Sequence, residues 1–122
     1  STYVEIDMGG QMMYYYRNGE LQIETPIVTG NTSRRMGTPS GVNYVYLKQT
    51  DRILRGEGYA SHVNFWMPVK GNIGIHDASW RSKYGGTIYQ TNGSHGCINT
   101  PYEAMAQIYE TVEVGPPVVM YY

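Results

Sequence analysis

Charge is scarce in this chain. Only 16% of its 122 residues are Asp, Glu, Lys or Arg, against about a quarter in an average soluble domain. Nine basic and ten acidic side chains leave a net charge of −1. That balance carries no basic stripe of the kind nucleic acid demands, and Arg34-Arg35 is the only adjacent basic pair. No run approaches the roughly eighteen apolar residues of a membrane-spanning helix. Ser1 does not open a signal peptide, which starts basic and continues apolar. The start at Ser1-Thr2-Tyr3, without an initiator Met, leads us to expect a soluble domain trimmed from a longer protein. One cysteine, Cys97, excludes an internal disulfide framework and a multi-cysteine zinc site. There is no phosphate-binding loop, dinucleotide fingerprint or Gly-x-Ser-x-Gly elbow.

Tyrosine and glycine fill the space that charge leaves, thirteen of one and fifteen of the other, and 41% of residues are hydrophobic. At 13.8 kDa this composition suits one domain with its own core. Residues 2–8 alternate, with Val4, Ile6 and Met8 on one face, which predicts a half-buried strand. Gly9-Gly10 turns into a second run, Gln11 to Arg17. Asn18-Gly19 then favours a type I′ hairpin turn into a third, Leu21 to Val28. The opening third reads as a β-meander.

Residues 29–41 are polar and Gly/Pro-rich, hence a loop. Val42 to Lys48 alternates again, and Thr50 to Ser61 reads as a loop-like flap. Phe65 to Val69 and Ile73 to His76 predict short strands around Gly71-Asn72, and Ser79 to Gly86 a turn-rich connection. One helix is expected over about 100–113. Thr100-Pro101-Tyr102-Glu103 has the form of a capping box, and Met105, Ile108 and Val112 make an apolar stripe. Gly115 and Pro116-Pro117 end it, and Val118 to Tyr122 closes as a strand. The class is mainly β with one late helix.

The segment Thr91 to Thr100, TNGSHGCINT, holds the chemistry. Its thiol, Cys97, falls just ahead of the expected helix, where orphan amides and the helix dipole favour a thiolate. Gly96 has no side chain to obstruct a carbonyl, and the Gly96 and Cys97 amides suit an oxyanion hole. Ser94 and His95 add hydrogen-bonding groups. A thiol nucleophile needs a base. His95 lies two residues away and His76 ends a strand; spacing leaves the choice between them open, and His62 has no obvious partner. The plainer readings stand beside this one: a lone Cys is often a buried hydrophobe, and a His after an apolar strand often a structural hydrogen-bonder. His76, His95 and Cys97 lack the usual metal spacings, so neither metal nor cofactor is expected. Asn31-Thr32-Ser33 and Asn92-Gly93-Ser94 match a glycosylation sequon too short to carry weight.

Taken whole, the chain resembles the L,D-transpeptidase catalytic domain, the YkuD family of bacterial cell-wall enzymes. The family signature is a His, a gap, then [Ser/Thr]-His-Gly-Cys-hydrophobic-Asn. His76 followed by Ser94-His95-Gly96-Cys97-Ile98-Asn99 fulfils it. Gly37-Thr38-Pro39-Ser40-Gly41 is similar to the family's Thr-Pro-x-Gly segment, and Met67-Pro68 before Gly74-Ile75-His76-Asp77 to the approach to its catalytic His. The resemblance implies a β-sandwich of mixed sheets covering 1–122, Cys97 as nucleophile and His76 as base. It implies that the backbone carbonyl of Asp77 orients that base, that Ser94 and His95 support the pair, and that Asn99 holds the loop. Trp66, Trp80, Tyr59 and Tyr84 are candidates for the donor groove, while at least two of them read better as ordinary core aromatics.

The activity implied is transfer of a peptidoglycan stem tetrapeptide to an acceptor stem as a 3→3 cross-link, with release of D-Ala. Stem peptides would be the partners and carbapenem-type β-lactams covalent inhibitors. The implied location is extracytoplasmic, at the cell wall or held to the membrane by a segment outside this sequence. Two alternatives remain: L,D-carboxypeptidase hydrolysis, and a cell-wall-binding module that has lost turnover. A papain-like protease is disfavoured because His76 precedes Cys97.

Overall fold

Alternating apolar residues build two sheets whose inner faces meet. A computed structural model describes residues 1–56 and 58–122. Its first sheet joins β1 (Tyr3–Asp7), β2 (Met12–Arg17), β3 (Glu20–Pro26), β4 (Gly41–Tyr44) and β9 (Pro117–Tyr121) in the order β3-β2-β1-β9-β4. The second runs β5-β6-β7-β8, from β5 (Gln49–Gly56), β6 (Tyr59–Lys70), β7 (Ile73–Asp77) and β8 (Ile98–Thr100). Both sheets are mixed, since β1 pairs parallel with β9, and β7 parallel with β8. The meander of β1 to β3 is as expected. Val4, Ile6 and Met8 are buried with Met13, Met67, Ile75, Ile98 and Met120 in one core between the sheets. Methionine, unbranched and pliable, fills much of it.

The late helix, α2 (Tyr102–Thr111), presses Met105 and Ile108 into that core. Phe65 of β6 meets the rings of Tyr102 and Tyr109 at 5.9 and 5.0 Å. The capping box does not form: Pro101 occupies the cap position with no side-chain bond. Thr100 belongs instead to β8, opposite Asp77, and its hydroxyl donates to the Ile98 carbonyl. Strand pairing has taken the residue that the helix would have used.

Two further expectations change. The segment expected as a flap is ordered into an antiparallel hairpin of β5 and β6, paired from Gln49↔Trp66 to Gly56↔Tyr59; Glu57, within it, lies outside the described residues. Strand pairing supplies backbone partners that no local periodicity signals. A short helix, α1 (Ile88–Asn92), follows the turn-rich connection. Among the described residues no helix is long and apolar enough to cross a membrane.

Candidate active site

Register decides which side chains share the working face. Ile75 pairs with Ile98 and His76 with Asn99 in the parallel β7–β8 ladder. Continuing that register sets Cys97 beside Gly74. Residues side by side in a ladder face the same way and successive ones alternate. Ile75 and Ile98 therefore enter the core, while His76, Cys97 and Asn99 line a groove of about 820 Å³ on the other face. Trp66, opposite His76 on β6, lines it too.

His76 is buried, and its Nδ1 lies 2.6 Å from the Asp77 carbonyl oxygen. A carbonyl only accepts, so Nδ1 carries the proton and Nε2 keeps its lone pair. The rings of Trp66 and Trp80 flank it, both with centroids at 5.9 Å. Burial lowers its pKa, which the Asp77 carbonyl and charge partly offset. The Asp77 carboxylate does not turn to the imidazole. It accepts from the Asn64 and Phe65 amides and from the Asn64 side chain, which clamps β7 against β6.

The Cys97 thiol donates to the Asn72 carbonyl at 3.2 Å. Burial raises its pKa, against an opposing backbone hydrogen bond from Gly74. The expected depression by a helix N-terminus is not found: β8 intervenes, and α2 begins only at Tyr102, beyond the reach of an end effect confined to one turn. In the free protein both partners are therefore neutral near pH 7.

The loop carrying the thiol is held from several sides. Ser94 Oγ donates to the Cys97 carbonyl and accepts from the Gly96 amide at 3.1 Å. Gly96 takes a φ of +124°, a region that disfavours a side chain. Thr38, buried in the Thr-Pro segment, donates to the Gly96 carbonyl at 2.6 Å and accepts from the Gly30 amide at 2.9 Å. Asn31 and Thr29 bond the Ser94 backbone. Buried Gln11 in turn grips Thr29 through both ends of its amide. Asn99 ties its backbone to Val28 in both directions.

The remaining candidates divide. His95 is exposed and its ring stacks on Tyr59 at 4.4 Å. Tyr59, Trp66 and Trp80 line the groove, Trp66 only 8% exposed and Trp80 50%. Tyr84 donates to the Ala78 carbonyl and is absent from the lining. His62 has a partner after all, the exposed Asp51 at 2.6 Å. Asn31 of the first sequon is buried, its amide donating to the Thr91 carbonyl and accepting from Ser33. Sequence reasoning passed over Gln11, Asn72 and Arg81, whose importance comes from contacts distant in the chain. The Gly71-Asn72 turn was the one local sign for Asn72.

A β-sandwich that seats a tautomer-locked imidazole on one strand, and a thiol in the loop leading into the parallel strand beside it, has the equipment of a cysteine acyltransferase. The chain belongs to the YkuD family: the model of the L,D-transpeptidase catalytic domain matches residues 1–120. No curated protein sequence matches it. Among solved structures, it is similar to a cysteine-to-serine mutant of Enterococcus faecium L,D-transpeptidase, with 44% identity and a TM-score of 0.93, over 98% of this chain and 49% of that one. The sequence thus spans about half that relative's length. The catalytic domain of the E. faecium enzyme acylated by ertapenem is 45% identical, with a TM-score of 0.85, over 98% and 96% of the two chains. An L,D-transpeptidase from Mycobacterium smegmatis, 24% identical over 99% of this chain and 58% of that one, shares the fold with a TM-score of 0.84.

Proposed function

We propose that this domain is a peptidoglycan L,D-transpeptidase working outside the cytoplasm. The observation that carries the reading is the fixed tautomer of His76, which leaves Nε2 as a base in the groove that Cys97 lines. His76 takes the thiol proton as the sulfur attacks the carbonyl of the third stem residue. The bond to D-Ala breaks, His76 returns the proton to the departing amine, and a thioester remains on Cys97. An acceptor side-chain amine then attacks the thioester, giving up its proton through His76, and the thiol is released with a 3→3 cross-link formed.

Because the Gly96 amide is already donated to Ser94, the Cys97 amide is the better candidate for the oxyanion, with Gly96 joining if Ser94 turns away. Ser94 and His95 position the loop rather than move protons. Trp66, Trp80, Tyr59 and Asn99 wall the donor groove. Likeness to the ertapenem-acylated domain supports carbapenem acylation of Cys97.

The test is incubation with a disaccharide-tetrapeptide, read by mass spectrometry beside Cys97→Ala. A dimer lacking one D-Ala, absent from the variant, is the expected product. Tripeptide alone would replace transfer by hydrolysis. An unchanged substrate with an unreactive thiol would favour a binding module. His76→Ala should abolish transfer and His95→Ala retain part of it; equal loss from both would remove the distinction between base and positioning residue.

A further inference from the structure

The groove is cationic in a chain that carries a net negative charge. Arg52, Arg55 and Arg81 line it, and no Asp or Glu does among the described residues. Arg52 and Arg55 stand exposed on β5, Arg52 donating to Gln49. Arg81 is placed differently. The turn after β7, closed by the Arg81 amide on the Ala78 carbonyl at 3.2 Å, brings it to the groove that Trp80 and His76 also line. Its Nη1 donates to the Asn92 carbonyl at 3.0 Å, which fixes the guanidinium. Its Nε is the one buried side-chain nitrogen or oxygen without a hydrogen-bond partner among the described residues. Leaving such a donor unpaired is costly, and a planar guanidinium suits a carboxylate. Its charge also reaches His76, where it opposes protonation.

We infer that Arg81 binds the terminal carboxylate of the donor stem, the carboxylate of the D-Ala that leaves. This rests on the transpeptidase reading. The departing amine must come to His76 to be protonated, and in D-Ala the carboxylate is borne on the carbon attached to that nitrogen. A cation that lines the same groove as His76 therefore meets this carboxylate, whereas the other carboxylates of the stem lie on the far side of the scissile carbonyl. Arg81 would act as a binding and specificity residue, and it takes no part in proton transfer.

The experiment compares a tetrapeptide ending in D-Ala with the same peptide ending in D-alaninamide. Turnover is measured with wild type, Arg81→Lys and Arg81→Ala, and binding is measured with Cys97→Ala and with Cys97→Ala carrying Arg81→Ala. Wild type should prefer the free acid by roughly 10- to 100-fold in kcat/KM, the worth of a charged hydrogen bond. Arg81→Ala should bring the ratio to about one, and Arg81→Lys should restore part of it. A variant that loses both substrates equally, or a wild type indifferent to amidation, would overturn the assignment. If Arg81→Ala does not fold, the ratio for Arg81→Lys decides: an unchanged preference overturns the assignment and a reduced one supports it. Turnover without acid preference defeats the site and spares the reaction. Acid-selective binding that depends on Arg81, without turnover, defeats the reaction and spares the site.

Discussion

The two side chains proposed to carry the chemistry have opposed titration shifts. His76 has a lowered pKa and Cys97 a raised one, so the resting pair is thiol and imidazole rather than thiolate and imidazolium. Iodoacetamide labelling of Cys97 should therefore rise with pH along a curve centred above the ordinary thiol value. A plateau already reached at pH 7 would contradict the neutral pair. The same burial makes stability depend on pH. The unfolded chain protonates His76 near its ordinary 6.5, while the folded chain resists. Below about that pH the unfolded state binds more protons, so the stability that His76 contributes at neutral pH is lost as pH falls. His76→Gln should flatten the loss of melting temperature between pH 7.5 and 5; an undiminished acid slope would place the sensitive group elsewhere. Thr38 offers another residue-scale test, because its hydroxyl joins the Gly30 amide to the Gly96 carbonyl. Thr38→Val keeps the shape and orphans both groups. It should cost about 1–3 kcal/mol in urea denaturation and slow acylation of Cys97 further by loosening its loop.

At the scale of elements, β7 is the part that brings everything within reach. Its Gly74 leaves room for Trp66: a Cβ there would lie 2.7 Å from the indole and 2.8 Å from the Met67 carbonyl oxygen. Gly74→Ala should displace β6 from β7, costing about 1–3 kcal/mol and shifting the tryptophan emission; an unmoved spectrum with normal activity would show that the ladder absorbs the methyl. The helix α2, by contrast, serves the core. Ile108→Ala should destabilise by about 2–5 kcal/mol without changing the pH profile of thiol labelling. A changed profile would restore a link between helix and thiol that the position of β8 removes. The meander, β7 and α2 were legible as elements because their residues follow a period of two or of 3.6. The hairpin of β5 and β6 was not, because its outer face is exposed and its order comes from pairing across the turn.

For the whole molecule, a late strand sits in the middle of a sheet. β9 lies between β1 and β4, parallel to one and antiparallel to the other, and carries Val118 and Met120 into the core. Ending the chain after Gly115 should abolish cooperative thermal unfolding by circular dichroism; a retained sharp transition would mean that the second sheet stands without the first. The first sheet matters to the site through the segments after β3. Gln11 and Thr29 brace the strand-like stretch that holds Ser94 and Asn99.

By itself the sequence determined the mainly β class, the meander, the helix stripe and the family, since alternation, Asn18-Gly19 and the run Ser94 to Asn99 are local patterns. It also singled out Cys97 and His76, the latter against His95 only through the family resemblance. Tertiary structure alone decided the raised pKa of the thiol and the fate of Thr100. It also brought Arg81, sixteen residues before Cys97, to the groove. The physical reason is common to them all: burial and ladder register are set by residues far apart in the chain, and no short window of sequence contains both partners.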